Sequence, residues 1–152
     1  MSLLDREMYH GAALAQIVES GGGASIRKAS RAFGHYEIES GYFSAGRGRR
    51  LLIRHSSAAA GPWRFVLRPK ELALLRADQS DGCDVFVCLV CGTEAICVLT
   101  AVQIRQVVAL DAAAPQSIRV YARPHASIHV AGSAGELPGA IPKHAFPGNL
   151  FR

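Results

Sequence analysis

Apolar positions recur at helical spacing over residues 5–20, where Met8, Leu14, Ile17 and Val18 fall together and the glycines at 21–23 can end the helix. Residues 25–33 read as a short basic helical connector. From His35 the period changes to two: Tyr36, Ile38 and Ser40 alternate with His35, Glu37 and Glu39, and residues 44–48 supply turn chemistry before a second alternating run over 49–55. A third follows at 63–68, where Trp63, Phe65 and Leu67 alternate with Arg64, Val66 and Arg68. Pro69 suits the first position of a helix that Leu72, Leu74 and Leu75 carry to about residue 77.

Residues 84–91 form a nearly continuous apolar run rich in Val and Phe, which predicts a central strand buried on both faces. Residues 92–94 turn it into a partner strand over 95–99. Thr100 with Gln103 resembles a capping box opening a helix through Leu110, and residues 117–121 and 127–131 predict a last hairpin around Arg123, Pro124 and His125. The Gly- and Pro-rich stretch 132–152 has no period and is expected to be an irregular tail, pinned to the core by Phe146, Leu150 and Phe151. The whole predicts one α/β (α+β) domain over 1–152, with a mixed, largely antiparallel central sheet flanked by about three helices in the order α-β-β-β-α-β-β-α-β-β.

The strand pattern also suggests a register. Pairing Ile38 with Ile53 and Tyr36 with His55 keeps apolar residues on one face and sets Glu37 opposite Arg54 on the other.

Composition adds a sign to this frame. The chain has 152 residues, 49% of them hydrophobic, and a formal net charge of +5, which favours acidic partners. Of the 17 Lys and Arg only Lys28, Lys70 and Lys143 are lysines, a skew that fits either phosphate-binding forks or a GC-rich bacterial genome. Residues 47–70 carry Arg47, Arg49, Arg50, Arg54, Arg64, Arg68 and Lys70 and no acid. With Arg50, Arg54, Arg64 and Arg68 on one sheet face and Arg47 and Arg49 at the turn, this stretch is the candidate nucleic-acid surface. Trp63, Phe65, Tyr36 and Tyr42 lie in or near it, but alternation turns most of them towards the core, away from stacking on bases.

The order helix, three strands, helix, strand over residues 5–91 resembles that of the restriction-endonuclease-like, or PD-(D/E)XK, superfamily. The resemblance implies a metal-dependent phosphodiesterase in which a strand Asp and a following Glu-x-Lys gather a divalent ion. Here the Glu-x-Lys strand reads Leu51-Leu52-Ile53-Arg54, with Leu52 at the acidic position and Arg54 in place of Lys. Hard cations need carboxylate oxygens, so the resemblance implies a binding-only descendant rather than a nuclease.

Other chemistry is thinner. Glu37 and Glu39 lie two apart on one strand face, and Glu19 on the first helix would complete a carboxylate trio for Mg²⁺. His55 beside Ser56 and Ser57 is the local hint of a nucleophile with its base, while His35, His125, His129 and His144 are scattered. Cys83, Cys88, Cys91 and Cys97 crowd into an apolar run. Cys88 and Cys91 would point to opposite sides of a strand, which argues against a shared metal, and buried thiols fit a reducing compartment. No metal or cofactor is expected. With no apolar leader or membrane-length segment in view, a cytoplasmic setting is expected. The reading favours a non-catalytic domain that binds nucleic acid or an acidic protein; the alternatives are a protein-interaction or homo-oligomeric assembly domain and a phosphodiesterase-like enzyme using Glu19, Glu37 and Glu39.

Overall fold

A computed structural model of the chain describes residues 4–20, 24–41, 43, 48–122 and 127–151. Arg47, Tyr42, the glycines at 21–23 and the Arg123, Pro124, His125 turn lie outside the described residues. Helix α1 (Asp5–Ser20) buries His10, Ala13 and Ile17, a stripe at spacings of three and four. Strands β1 (Ser25–Lys28), β2 (His35–Glu39) and β3 (Arg49–Ser56) follow, then β4 (Trp63–Leu67) and helix α2 (Pro69–Ser80). Next come β5 (Asp84–Cys91), β6 (Ala95–Thr100) and helix α3 (Ala101–Val107). Strands β7 (Gln116–Ala122), β8 (Ile128–Gly132) and β9 (Gly135–Glu136) precede a 3₁₀ turn at Gly148–Leu150.

The fold is α+β, and the described residues form three helices, a mixed five-stranded sheet ordered β1-β2-β3-β5-β6 and a four-stranded antiparallel sheet ordered β4-β7-β8-β9. Strand β5 is parallel to β3, as a strand must be able to become when β4 and α2 carry the chain back across. Every residue from Val85 to Cys91 is buried, as its unbroken apolar run predicts. Odd positions of β3, Leu51 and Ile53, join Ala13 and Ile17 of α1, Ile38, Phe86, Cys88 and the tail residues Phe146 and Leu150 in one core. Leu52 faces the other way, into a core shared with Leu72, Leu75, Ile104 and the inner side of the second sheet, including Trp63, Phe65, Ile118 and Val120.

Several expectations are corrected. Residues 25–28 are a strand, not a helix, because β2 would otherwise be an unpaired edge; β1 covers it with Arg27 directly opposite Glu37. The β2–β3 register places Ile38 opposite Arg49 and Glu37 opposite Arg50, four residues from the expected pairing. An even slip leaves every side chain on its expected face, so alternation alone does not select between the two. Pairing ends at Gly34, whose φ of +86° and whose Cβ position, 2.6 Å from the Ile53 carbonyl oxygen, suit only glycine. Strand β4 leaves the first sheet for the second, where its apolar side closes the inner core.

Helix α2 runs on to Ser80, and α3 stops at Val107 because Val108 is already extended. The capping box holds: Gln103 N–H donates to Thr100 Oγ1 at 3.4 Å, and Thr100 N–H to Gln103 Oε1 at 3.0 Å. The C-terminal stretch is more regular than expected, opening with the β8–β9 pairing and a bridge from Ile128 to Ile141. Among the described residues, no helix is long and apolar enough to cross a membrane.

Candidate nucleic-acid interface

The arginines of β3 are used inside the molecule. Arg50, Leu52 and Arg54 face α2, which presents Glu71, Leu75 and Asp78 at the spacing i, i+4, i+7. Arg54 Nη2 lies 2.6 Å from Glu71 Oε2, Arg50 Nη1 lies 3.1 Å from Asp78 Oδ1, and Leu52 and Leu75 share the core between them. Arg50 also reaches Glu37 at 3.6 Å, and Arg27 closes on Glu37 at 2.5 Å. These guanidiniums are counter-ions to half-buried or buried carboxylates, which would be costly to leave unpaired. Arg49 points to the opposite face, with its guanidinium 4.0 Å from the Phe43 ring centroid and a hydrogen bond donated to the Leu150 carbonyl. Arg49, Arg50 and Arg54, expected on a binding surface, are thus engaged within the molecule.

The same network gathers a histidine. His35 Nε2 donates to Asp78 Oδ2 at 2.6 Å, and His35 Nδ1 lies 2.8 Å from Ser30 Oγ, which also accepts from Ala32 N–H at 3.2 Å. Both His35 nitrogens are occupied, and the ring ties the β1–β2 connection to α2.

The proposed carboxylate trio does not form. Glu37 faces α2 and is held by Arg27 and Arg50, Glu39 lies 3.8 Å from Arg27, and Glu19 sits on α1 across the sheet. Among the described residues, no three His, Cys, Asp or Glu side chains gather to hold a metal ion. Leu52 is core, and Arg54 is paired with Glu71.

His55 meets a partner that the sequence reading omitted. Its Nδ1 lies 3.3 Å from Nε2 of His10, and its ring stacks on Tyr9 with centroids 5.3 Å apart. Burial, with the charge of His55 next, lowers the His10 pKa to about 4; burial likewise lowers that of His55, against an opposing pull from Asp5. The inner face of α1 is His10, Ala13 and Ile17, whereas Met8 and Val18, expected on the apolar face, are exposed. Ser56 Oγ accepts from Ala58 N–H at 3.4 Å.

Cys88 packs on the α1 side and Cys91 and Cys97 on the other, as strand alternation predicts. Burial pushes the Cys91 thiol up to about 12 and raises Cys88 and Cys97 as well, so none of these is a thiolate near neutrality.

Among the described residues, unpaired exposed cations occur at Lys28, Arg31, Lys70 and Arg105, but two stand side by side on the second sheet. Strand β4 alternates buried and exposed, so Trp63, Phe65 and Leu67 face inward while Arg64 and Val66 face solvent, with Arg68 exposed just beyond. Arg64 stands directly opposite Arg119 of β7, and neither has an ion pair or hydrogen-bonding partner among the described residues. Tyr121, two residues on along the same face, stands opposite His129 of β8; Tyr121 is 38% exposed and Val66 45%. A cleft of about 620 Å³ opens at this end of the sheet, against the 59–62 loop, Glu94 and Lys143.

Of the expected surface, Arg64 and Arg68 therefore remain, joined by Arg119, Tyr121 and His129. The alternation Ser117, Arg119, Tyr121 carried that signal, but only pairing with β4 brings it beside Arg64. No protein-family model matches the chain, and no curated protein is significantly similar to it in sequence.

Proposed function

We propose that this protein is a non-catalytic binder of single-stranded nucleic acid, which it holds by the sugar-phosphate backbone on the open face of the β4-β7-β8-β9 sheet. The observation that carries the reading is the Arg64–Arg119 cross-strand pair. Like charges directly opposite on a sheet repel, and an anion shared between them turns that repulsion into two charge-assisted hydrogen bonds. Guanidinium forks suit phosphate, and the exposed Tyr121 ring beside them offers a stacking platform of the kind single strands use.

Self-association through the same face is the weaker reading. Two copies laid face to face would bring four arginines together. The hydrolase reading is weaker still, because Glu37 is engaged by two arginines and Glu19 lies across the sheet. A cytoplasmic setting accompanies the proposal, in keeping with three buried free thiols.

The test is fluorescence anisotropy with labelled single-stranded RNA and DNA across a salt series. Binding should weaken steeply with salt, and Arg64→Gln and Arg119→Gln should each reduce the slope of log K against log salt by about 1. Absence of binding to any strand at low salt would end the proposal, and recovery only of acidic protein partners would redirect it.

A further inference from the structure

The cleft beside Tyr121 combines features that a phosphate site does not need. Its lining includes Pro62, Trp63, Tyr121 and His129 together with the charged pair Glu94 and Lys143. Its volume of about 620 Å³ is ample for a nucleobase. Trp63 Nε1 is already committed to the Ala58 carbonyl at 3.0 Å, so this ring contributes a wall and no hydrogen bond.

Glu94 and Lys143 are different. Lys143 Nζ stands 3.8 Å from Glu94 Oε2, beyond hydrogen-bonding distance, and the two side chains are 53% and 32% exposed for Glu94 and Lys143 respectively. The pair thus presents a two-oxygen acceptor next to a donor, with free capacity on both.

We infer that this cleft receives a guanine base from the strand whose phosphate lies on Arg64 and Arg119; the inference rests on the backbone-binding reading above. Guanine's Watson–Crick edge offers two adjacent donors, N1–H and the N2 amine, followed by the O6 acceptor. A carboxylate takes both donors at once, and an ammonium beside it takes O6. Adenine and cytosine offer the carboxylate one donor group each, and uracil sets carbonyl acceptors on both sides of a single N–H.

Reach is consistent. Arg119 and Tyr121 lie on one side of β7, so their Cα atoms are separated by about 7 Å, close to the span from a backbone phosphate to its base. Tyr121 supplies a ring for stacking within the same cleft.

The experiment compares labelled heptanucleotides of uridine carrying at the centre uridine, guanosine, inosine or an abasic residue, by anisotropy at low salt. Guanosine should bind about tenfold more tightly than uridine, and inosine, which lacks the N2 amine, should lose most of that gain. Glu94→Gln should abolish the guanosine preference while leaving the all-uridine affinity in place, and Arg64→Gln should weaken all four strands alike. Equal affinity for all four would overturn the guanine site and leave the backbone proposal standing. Failure of every strand to bind would overturn both. Guanosine monophosphate serves as a competitor: displacement of the central-guanosine strand supports a base-reading cleft, and no displacement at millimolar concentration counts against it.

Discussion

His35 Nε2 lies 2.6 Å from Asp78 Oδ2, with both side chains almost wholly buried, so α2 is fastened to β2 by a polar contact inside the core. Asp78 also takes Arg50 at 3.1 Å. Replacing it by Ala strands two donors at once. Asp78→Ala should destabilise the fold by about 3–5 kcal/mol, a fall in Tm on the order of 10 °C for a chain of this length. Thermal unfolding followed by circular dichroism checks this, and a shift under about 2 °C would show that the contact carries little.

Arg54 and Arg64 separate stability from binding. Arg54→Ala removes the 2.6 Å partner of Glu71 and should cost about 1–2 kcal/mol, yet leave strand affinity unchanged. Arg64→Thr relieves the repulsion with Arg119 and should be neutral or stabilising by a few tenths of a kcal/mol, yet weaken binding. Denaturant titrations paired with anisotropy would reveal the crossed pattern; parallel losses in both variants would contradict it.

Stability should fall as pH drops from about 6.5 towards about 4. The folded pKa of His10, about 4, lies below its ordinary 6.5, so in this window the unfolded chain binds the proton more readily. Above 6.5 the group is neutral in both states and contributes no slope. His55, lowered as well, acts in the same sense. The His10→Gln variant should show a flatter profile of urea midpoint against pH, and an unchanged slope would assign the acid sensitivity elsewhere.

Thiol chemistry should be graded. Cys83 is half-buried, while Cys88, Cys91 and Cys97 are buried and burial holds their thiols protonated. Iodoacetamide at neutral pH should modify Cys83 first and the other three only after unfolding. Mass spectrometry of native and urea-treated protein distinguishes this from uniform labelling.

Much of the fold was legible because period and burial agree. The unbroken run at Val85–Cys91 predicted a strand covered on both sides, and the Thr100–Gln103 box marked the start of α3. Residues 25–28 were not legible, since a short basic segment becomes a strand only when a neighbouring edge needs cover. The β2–β3 register was legible in parity and not in value, because alternation repeats every two residues.

The interface was half legible. Arg64 and Arg68 follow from the alternation of β4, whereas Arg50 and Arg54 alternate in the same manner and differ only in that α2 lies over them with Glu71 and Asp78. The complementary spacing of Glu71, Leu75 and Asp78 with Arg50, Leu52 and Arg54 was present in the sequence. It acquires meaning only once β3 and α2 are known to be packed together.

The insertion of β5 between β3 and β6 bears on the order of synthesis. Until residues 84–91 leave the ribosome, the edge of β3 that carries Leu51, Leu52 and Ile53 lacks the strand that later pairs with it. Arg49, Arg50 and Arg54 flank that apolar triplet, and charges so placed work against edge-to-edge pairing between copies wherever β5 is not yet docked.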